Sequence, residues 1–174
     1  AITIIDHLKN KVYLVRDAVG VKPLYYMYSN ENIYVSSEFK ALLISGISER
    51  KINRNSLDFY HLFQTIPNEN TLVKDIKKIN PGQIMCFDLS NGRKVGTSEI
   101  QIKNYKDFKN YDDYYERLEN EIYHQMSLAT NTDLPTGYHL SGGIDSNTLI
   151  SIAKKIRKDK NFFFVSSIIN ESMD

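Results

Sequence analysis

Leu140-Ser141-Gly142-Gly143-Ile144-Asp145-Ser146 is the stretch on which the reading of this sequence turns. Before it, Thr136–Leu140 reads as a short strand. After it, Ser146–Lys158 has the spacing of an amphipathic helix, and Phe162–Ile169 is an apolar strand. Strand, glycine turn, helix and strand make a βαβ unit, which predicts parallel pairing through a right-handed crossover. The loop's backbone N–H groups then converge on the positive end of a helix, an arrangement that binds anions. Two glycines let the backbone approach an oxyanion with no Cβ in the way and permit positive φ. Ser141 and Ser146 add hydroxyl donors. Asp145 would repel a bare phosphate, so its presence implies Mg²⁺ accompanying a polyphosphate. The position also suits the rule that ligands of open α/β sheets sit beyond the carboxyl ends of the strands.

The competing reading is a tight turn in which Asp145 and Ser146 merely cap the helix. For an isolated Gly-Gly turn that reading would be preferred. The whole hexapeptide at a strand–helix junction favours the anion site. It is not a Walker A loop, because the G-x-x-x-x-G-K-[ST] spacing and its lysine are missing.

Upstream, Asp112–Ala129 places Tyr115, Leu118, Ile122, Met126 and Ala129 on one helical stripe, with Asp112 or Asp113 as cap. Gly96–Asn110 is polar and aperiodic and reads as a linker. Before the linker the chain is β-rich. Ala1–Asp6 and Lys11–Arg16 alternate around a polar turn, and Leu24–Ser29 and Ile33–Val35 do the same around Asn30-Glu31-Asn32. Ser36 is the expected cap of a helix with Glu38 in its first turn and Gly46 at its end. Ser56–Phe63 reads as a second short helix, Gln83–Leu89 as a strand, and Pro81-Gly82 and Asn91-Gly92 as turns.

The bulk composition excludes several classes. Of the 174 residues, 41% are hydrophobic and 25% charged, which is a globular and not a disordered composition. A net charge of +1 gives no global attraction to nucleic acid or to an acidic membrane. No apolar run approaches the roughly 20 residues needed to span a bilayer. The start of the chain lacks the basic and apolar regions of a signal peptide. One cysteine, Cys86, excludes an internal disulfide and fits a reducing cytoplasm. The sequence begins without Met inside a strand-like run and ends just after another, so a piece of a longer protein is expected.

The loop matches the S-G-G-x-D-S loop of the ATP pyrophosphatases, which cleave ATP between the α- and β-phosphates. Four further segments narrow the resemblance: Arg16-Asp-Ala-Val-Gly-Val-Lys-Pro-Leu-Tyr-Tyr26, Ser37-Glu-Phe-Lys-Ala-Leu-Leu43, Ile79-Asn-Pro-Gly-Gln83 and Asp133-Leu-Pro-Thr-Gly137 precede the loop in that order. Together they resemble the glutamine-hydrolysing asparagine synthetases, over nearly the full chain. The resemblance implies an α+β glutaminase-type (Ntn-hydrolase-like) piece over residues 1–95, a linker over 96–110, and the start of an α/β ATP-pyrophosphatase domain with a parallel sheet over 111–174. It implies a two-site enzyme: an N-terminal cysteine hydrolyses glutamine, ammonia travels through the protein, and a second site adenylates the aspartate side chain with Mg-ATP before ammonia displaces AMP. The implied small-molecule partners are aspartate, glutamine and ATP, without nucleic acid or membrane, in the cytoplasm. A homodimer is kept open as the assembly.

Carried over residue by residue, Ser141, Gly142, Gly143, Asp145 and Ser146 form the pyrophosphate loop, Asp145 facing the metal. Leu140 takes the place of a residue touching the nucleotide. The adenine contact falls at Val165 or Ser166. This chain departs from the family in Ser166-Ser167, where an apolar residue and then Gly are usual, and in His139, where small or apolar residues are commoner. His7, His61 and His124 lack metal-ligand spacing. Cys86, inside a strand, reads as a small buried hydrophobe, because the family's nucleophile and glutamine clamp would lie upstream of Ala1. The tyrosine clusters, Tyr25, Tyr26 and Tyr28 and then Tyr111, Tyr114 and Tyr115, read as packing, and the basic runs Lys74–Lys78 and Lys154–Lys160 as solvated faces.

Overall fold

The computed structural model describes residues 1–102, 108–157 and 162–166. It divides into two compact units, Ala1–Asn104 and Tyr105–Asp174.

The first unit contains β1 (Ile2–Asp6), β2 (Lys11–Val15), β3 (Tyr25–Ser29), β4 (Asn32–Ser36), α1 (Phe39–Ile44), α2 (Arg54–Phe63), β5 (Ile76–Lys78), β6 (Gln83–Asp88) and β7 (Lys94–Glu99). Two antiparallel sheets result, ordered β1-β2-β6-β7 and β4-β3-β5. Alternate residues of β2 and β6 supply one wall of the core, Val12, Leu14, Met85 and Phe87. Leu24, Tyr26 and Ile79 supply the other. Tyr26 and Phe87 meet ring to ring at 5.6 Å. The next residue along β3, Met27, points to the opposite face and is buried with Ile76, Val73 and Leu42 of α1. The sheet containing β3 is therefore covered on both faces.

A polar clasp joins two segments that are distant in sequence. Arg16 donates through Nη1 to the Ile79 carbonyl at 2.8 Å, through Nη2 to Gly20 at 2.8 Å and through Nε to Lys22 at 3.1 Å. Its neighbour Asp17 accepts the Val21 N–H at 2.9 Å, and the Asp17 backbone carbonyl accepts the N–H groups of Gly20 and Gly82. The Val21 N–H first, then those of Lys22 and Gly20, hold the Asp17 carboxyl below its ordinary range, against the opposing effect of burial. Gly20 adopts φ +70°, and a Cβ there would lie 2.8 Å from Pro81 Cγ and 3.0 Å from the Arg16 guanidinium.

Several expectations are corrected here. Residues 96–99, expected to begin a linker, lie in β7, where Gly96 pairs with Cys86 and Glu99 with Gln83. Ladder hydrogen bonds make this polar strand, and its exposed face carries no apolar alternation to betray it. The basic run Lys74–Lys78 is not a solvated face either. It contains β5, with Ile76 fully buried, Lys77 bonded to Asn70 and the Lys78 ammonium on the Ile66 carbonyl. Burial first, and the charge of Arg16 second, push the Lys78 amine below its usual range. Helix α1 is preceded by Glu38 as N-cap, while Ser36 accepts the Glu38 N–H just outside it. Helix α2 starts earlier than expected because Asn53 caps it, accepting from the Ser56 N–H.

The second unit contains α3 (Tyr111–Thr130), β8 (Thr136–His139), α4 (Ile144–Ile156) and β9 (Phe162–Val165). Asn110, and neither of the aspartates expected, caps α3, accepting from the Asp113 N–H at 2.9 Å. The Asp113 carboxylate accepts from Lys109 N–H and from Arg117, in that order the causes of its lowered pKa. Strands β8 and β9 pair in parallel, from Thr136 opposite Phe162 to His139 opposite Val165. Gly137 is dictated by this pairing, since a Cβ there would lie 2.4 Å from the Phe163 ring. Arg157, just past α4, reaches Thr136 Oγ1 at 2.7 Å and the Thr130 carbonyl at 3.3 Å, tying the ends of α3 and α4 to the start of β8. Residues 158–160 and 167–169, expected in the helix's basic end and the last strand, lie outside the described residues.

The clasp yields a measurable outcome. In Gly20→Ala, positive φ and the contact with Pro81 and Arg16 act together, whereas Gly46 has φ +77° and open space around its missing Cβ. Gly46→Ala should lose about 1–2 kcal/mol from the backbone conformation alone, and Gly20→Ala measurably more. Urea midpoints of the two variants make the comparison, and equal losses would show that the clasp tolerates a side chain at residue 20.

Candidate functional site

Helix α4 begins at Ile144, two residues before the expected start, with Gly143 as N-cap at φ −75°, ψ 161° and no side-chain cap. Asp145 and Ser146 consequently lie in the first turn and do not cap it. The N–H groups of Ile144, Asp145 and Ser146 find no acceptor among the described residues. They carry the positive end of the helix dipole.

The loop's carbonyls, which would oppose an anion, are held by the helix. Gly143 C=O accepts from the Asn147 N–H at 3.2 Å and from Ser146 Oγ at 3.0 Å. Gly142 C=O accepts from Asn147 Nδ2 at 3.3 Å. Ser141 Oγ and Ser146 Oγ stand 3.0 Å apart. The single Ser146 proton is already directed at the Gly143 carbonyl, so the donor of that pair is Ser141. Both hydroxyls are thus engaged within the loop, and serving an oxyanion requires them to rotate, which a hydroxyl does readily.

The two central glycines differ in what the backbone demands of them. Gly142 has φ +79°, a conformation side chains rarely adopt. Gly143 has an ordinary φ, and a Cβ there would meet only Ser141 Oγ at 3.5 Å. Nothing within the described fold forbids a side chain at 143. The space it leaves open is the space an oxyanion approaching the helix N-terminus would fill.

Asp145 is exposed and makes no hydrogen bond or ion pair with a described residue. Among the described residues no three His, Cys, Asp or Glu side chains group as a metal cage. A single free carboxylate beside a helix N-terminus is a donor set that would suit Mg²⁺, which takes one or two protein carboxylates and completes its shell with water and phosphate oxygens.

The structure brings Leu140, Val165 and Ser166 together beside the loop. Leu140 N–H donates to the Val165 carbonyl at 2.9 Å, extending the parallel ladder by one bond, and Ser166 Oγ donates to the Leu140 carbonyl at 2.8 Å. His139 is exposed at the end of β8. Cys86 is half-buried in β6 between Tyr13 and Gly96, in the first unit. Asn147 was not anticipated. The available signal was an asparagine within the first turns of a helix, where its propensity is poor and a local hydrogen bond is the usual compensation.

Comparison with known proteins follows the same division. A glutamine amidotransferase domain family matches residues 1–98, and an asparagine synthase family matches residues 117–170. The protein named asparagine synthetase [glutamine-hydrolyzing] 1 of Bacillus subtilis (strain 168) is 31% identical over 161 residues, covering 92% of this chain and 24% of that protein. A putative asparagine synthetase [glutamine-hydrolyzing] 2 of Methanocaldococcus jannaschii is 27% identical, covering 89% of this chain and 30% of its own length. A probable asparagine synthetase [glutamine-hydrolyzing] of Acanthamoeba polyphaga mimivirus is 26% identical, covering 90% and 27%. The chain spans about a quarter of the length of these curated relatives. Among the described residues no helix is long and apolar enough to cross a membrane. An amidotransferase-type unit of mixed strands and helices, followed by the asparagine synthase match, places the chain in the glutamine-hydrolysing asparagine synthetase family.

Proposed function

We propose that the loop Ser141–Ser146 binds the pyrophosphate end of ATP, and that the full-length enzyme makes asparagine from aspartate with ammonia drawn from glutamine. In this reading residues 1–95 belong to the glutaminase part and 111–174 open the synthetase part, with β8 and β9 as strands of a wider parallel sheet. The observation that carries the reading is the uncapped N-terminus of α4, behind a glycine loop whose carbonyls are held away from it.

The resemblance to the asparagine synthetases supplies the chemistry, and the donors lie where that chemistry would need them. An aspartate side-chain oxygen attacks the α-phosphorus of ATP, the bond from that phosphorus to the bridging β-phosphate oxygen breaks, and pyrophosphate departs with the electron pair. Negative charge grows on the departing group, where the α4 N–H groups and the Ser141 and Ser146 hydroxyls can meet it. Asp145 would hold Mg²⁺, which when bound neutralises part of that charge. Ammonia then attacks the activated carbonyl, AMP leaves with its oxygen, and the nitrogen loses a proton. Leu140 with Val165 or Ser166 would flank the nucleoside.

Two loop substitutions test the cradle. Gly143→Val fills the open space without demanding a new φ, and Asp145→Ala removes the metal's carboxylate. In the full-length enzyme each should slow aspartate-dependent pyrophosphate release by roughly 10²–10³, and near wild-type rates in both would reduce the loop to a turn. Cys86→Ser should leave glutamine hydrolysis intact, measured as glutamate formed; loss of that activity with the fold retained would reassign the nucleophile. Supplied with aspartate, ATP and glutamine, the enzyme should yield asparagine, AMP and pyrophosphate by mass spectrometry. ADP in place of AMP would refute adenylation, and AMP with another amidated acid would refute only the substrate.

A further inference from the structure

We propose that Asn147 is a positioning residue for the departing pyrophosphate, acting by locking the Gly142–Gly143 peptide in the orientation that offers its N–H to the anion. The inference rests on the nucleotide-binding reading above and goes beyond the loop motif, which ends at Ser146.

A peptide unit flanked by two glycines is among the easiest to flip, because neither side has a Cβ to restrict φ and ψ. In a trans peptide the C=O and N–H point in opposite directions. One orientation of this unit shows an anion a donor, and the other shows it a carbonyl oxygen. Asn147 decides between them. Its Nδ2 donates to the Gly142 carbonyl at 3.3 Å and draws that oxygen towards α4, which turns the Gly143 N–H the other way, towards Ser141 Oγ at 3.5 Å. That long contact leaves the N–H available. The Asn147 backbone N–H simultaneously begins the helix on the Gly143 carbonyl at 3.2 Å. One residue therefore holds both carbonyls of the Gly-Gly pair, through side chain and backbone. Its side chain is exposed, so replacing it removes no core packing.

Three variants of the full-length enzyme test this. Asn147→Leu keeps the shape and loses the donor, Asn147→Asp keeps the shape and sets a carboxylate oxygen against the Gly142 carbonyl, and Asn147→Gln retains an amide. Pyrophosphate release at varied ATP, and inhibition by added inorganic pyrophosphate, are the readouts. The first two variants should lose about tenfold or more in kcat/KM for ATP, as expected when a reacting group is no longer held in place. They should bind inorganic pyrophosphate more weakly by a similar factor at an unchanged thermal midpoint, and the glutamine variant should recover part of both. Wild-type kcat/KM and pyrophosphate inhibition in Asn147→Leu would overturn the proposal while leaving the nucleotide reading intact. So would a loss that merely follows a lowered melting temperature with inhibition unaltered. A wild-type enzyme that releases no pyrophosphate would sink the nucleotide reading, and this inference with it.

Discussion

Parallel pairing of β8 with β9 is the constraint from which the site follows. Two parallel strands cannot be joined by a hairpin, so the chain must return along the sheet before it can enter β9, and α4 is that return. The start of α4 is thereby fixed just beyond the carboxyl end of β8, and the bond from Leu140 N–H to the Val165 carbonyl brings the end of β9 to the same place. Helix N-terminus, glycine loop and both strand ends converge because the topology leaves them nowhere else to go. Gly137 belongs to the same constraint from the other side of the pairing. With a Cβ at residue 137 the Phe163 ring would have to move from its place against β8.

The first unit depends on a different kind of constraint, a charged group used as structural cement. Arg16 and Ile79 are 63 residues apart, yet the guanidinium, the Gly20 turn and the Pro81-Gly82 turn form one assembly. Arginine suits the task because its planar fork carries several donors in fixed directions. The segments quoted as separate signatures of the family, one around Arg16 and one around Pro81, are two halves of this contact. Their joint occurrence in this sequence has a mechanical reason.

What the sequence discloses depends on how each element is stabilised. β1 to β4, β6 and the strand–loop–helix–strand order of the second unit were legible, because they rest on apolar alternation and on glycine turns that leave marks in the sequence. β7 was hidden because it is a polar edge strand whose formation relies on β6. β5 was hidden because its lysines direct attention away from Ile76, which is the residue that matters. At the site, the glycines, the serines and Asp145 were readable as residue types suited to anion and metal. The start of α4 was misplaced by two residues because no side chain caps it, and sequence locates helix starts by their caps. Asn147 escaped for the converse reason: its effect depends on a hydrogen bond back to residue 142 that exists only once the helix has formed.

Side-chain caps divide the helices: α2 and α3 have one, whereas α4, like α1, does not. Asn53 accepts a backbone N–H at the start of α2, and Asn110 does the same for α3. Asparagine ranks among the best residues for that position, and glycine forgoes only a few tenths of a kcal/mol relative to it. At α4 the chain places Gly143 instead, and moves its asparagine four positions on, to 147, where the amide restrains a carbonyl and leaves the leading N–H groups alone. An asparagine at 143 would satisfy one of those N–H groups permanently and occupy the space in front of the others. The stability forgone is small, and the gain is a set of oriented donors still open to a ligand.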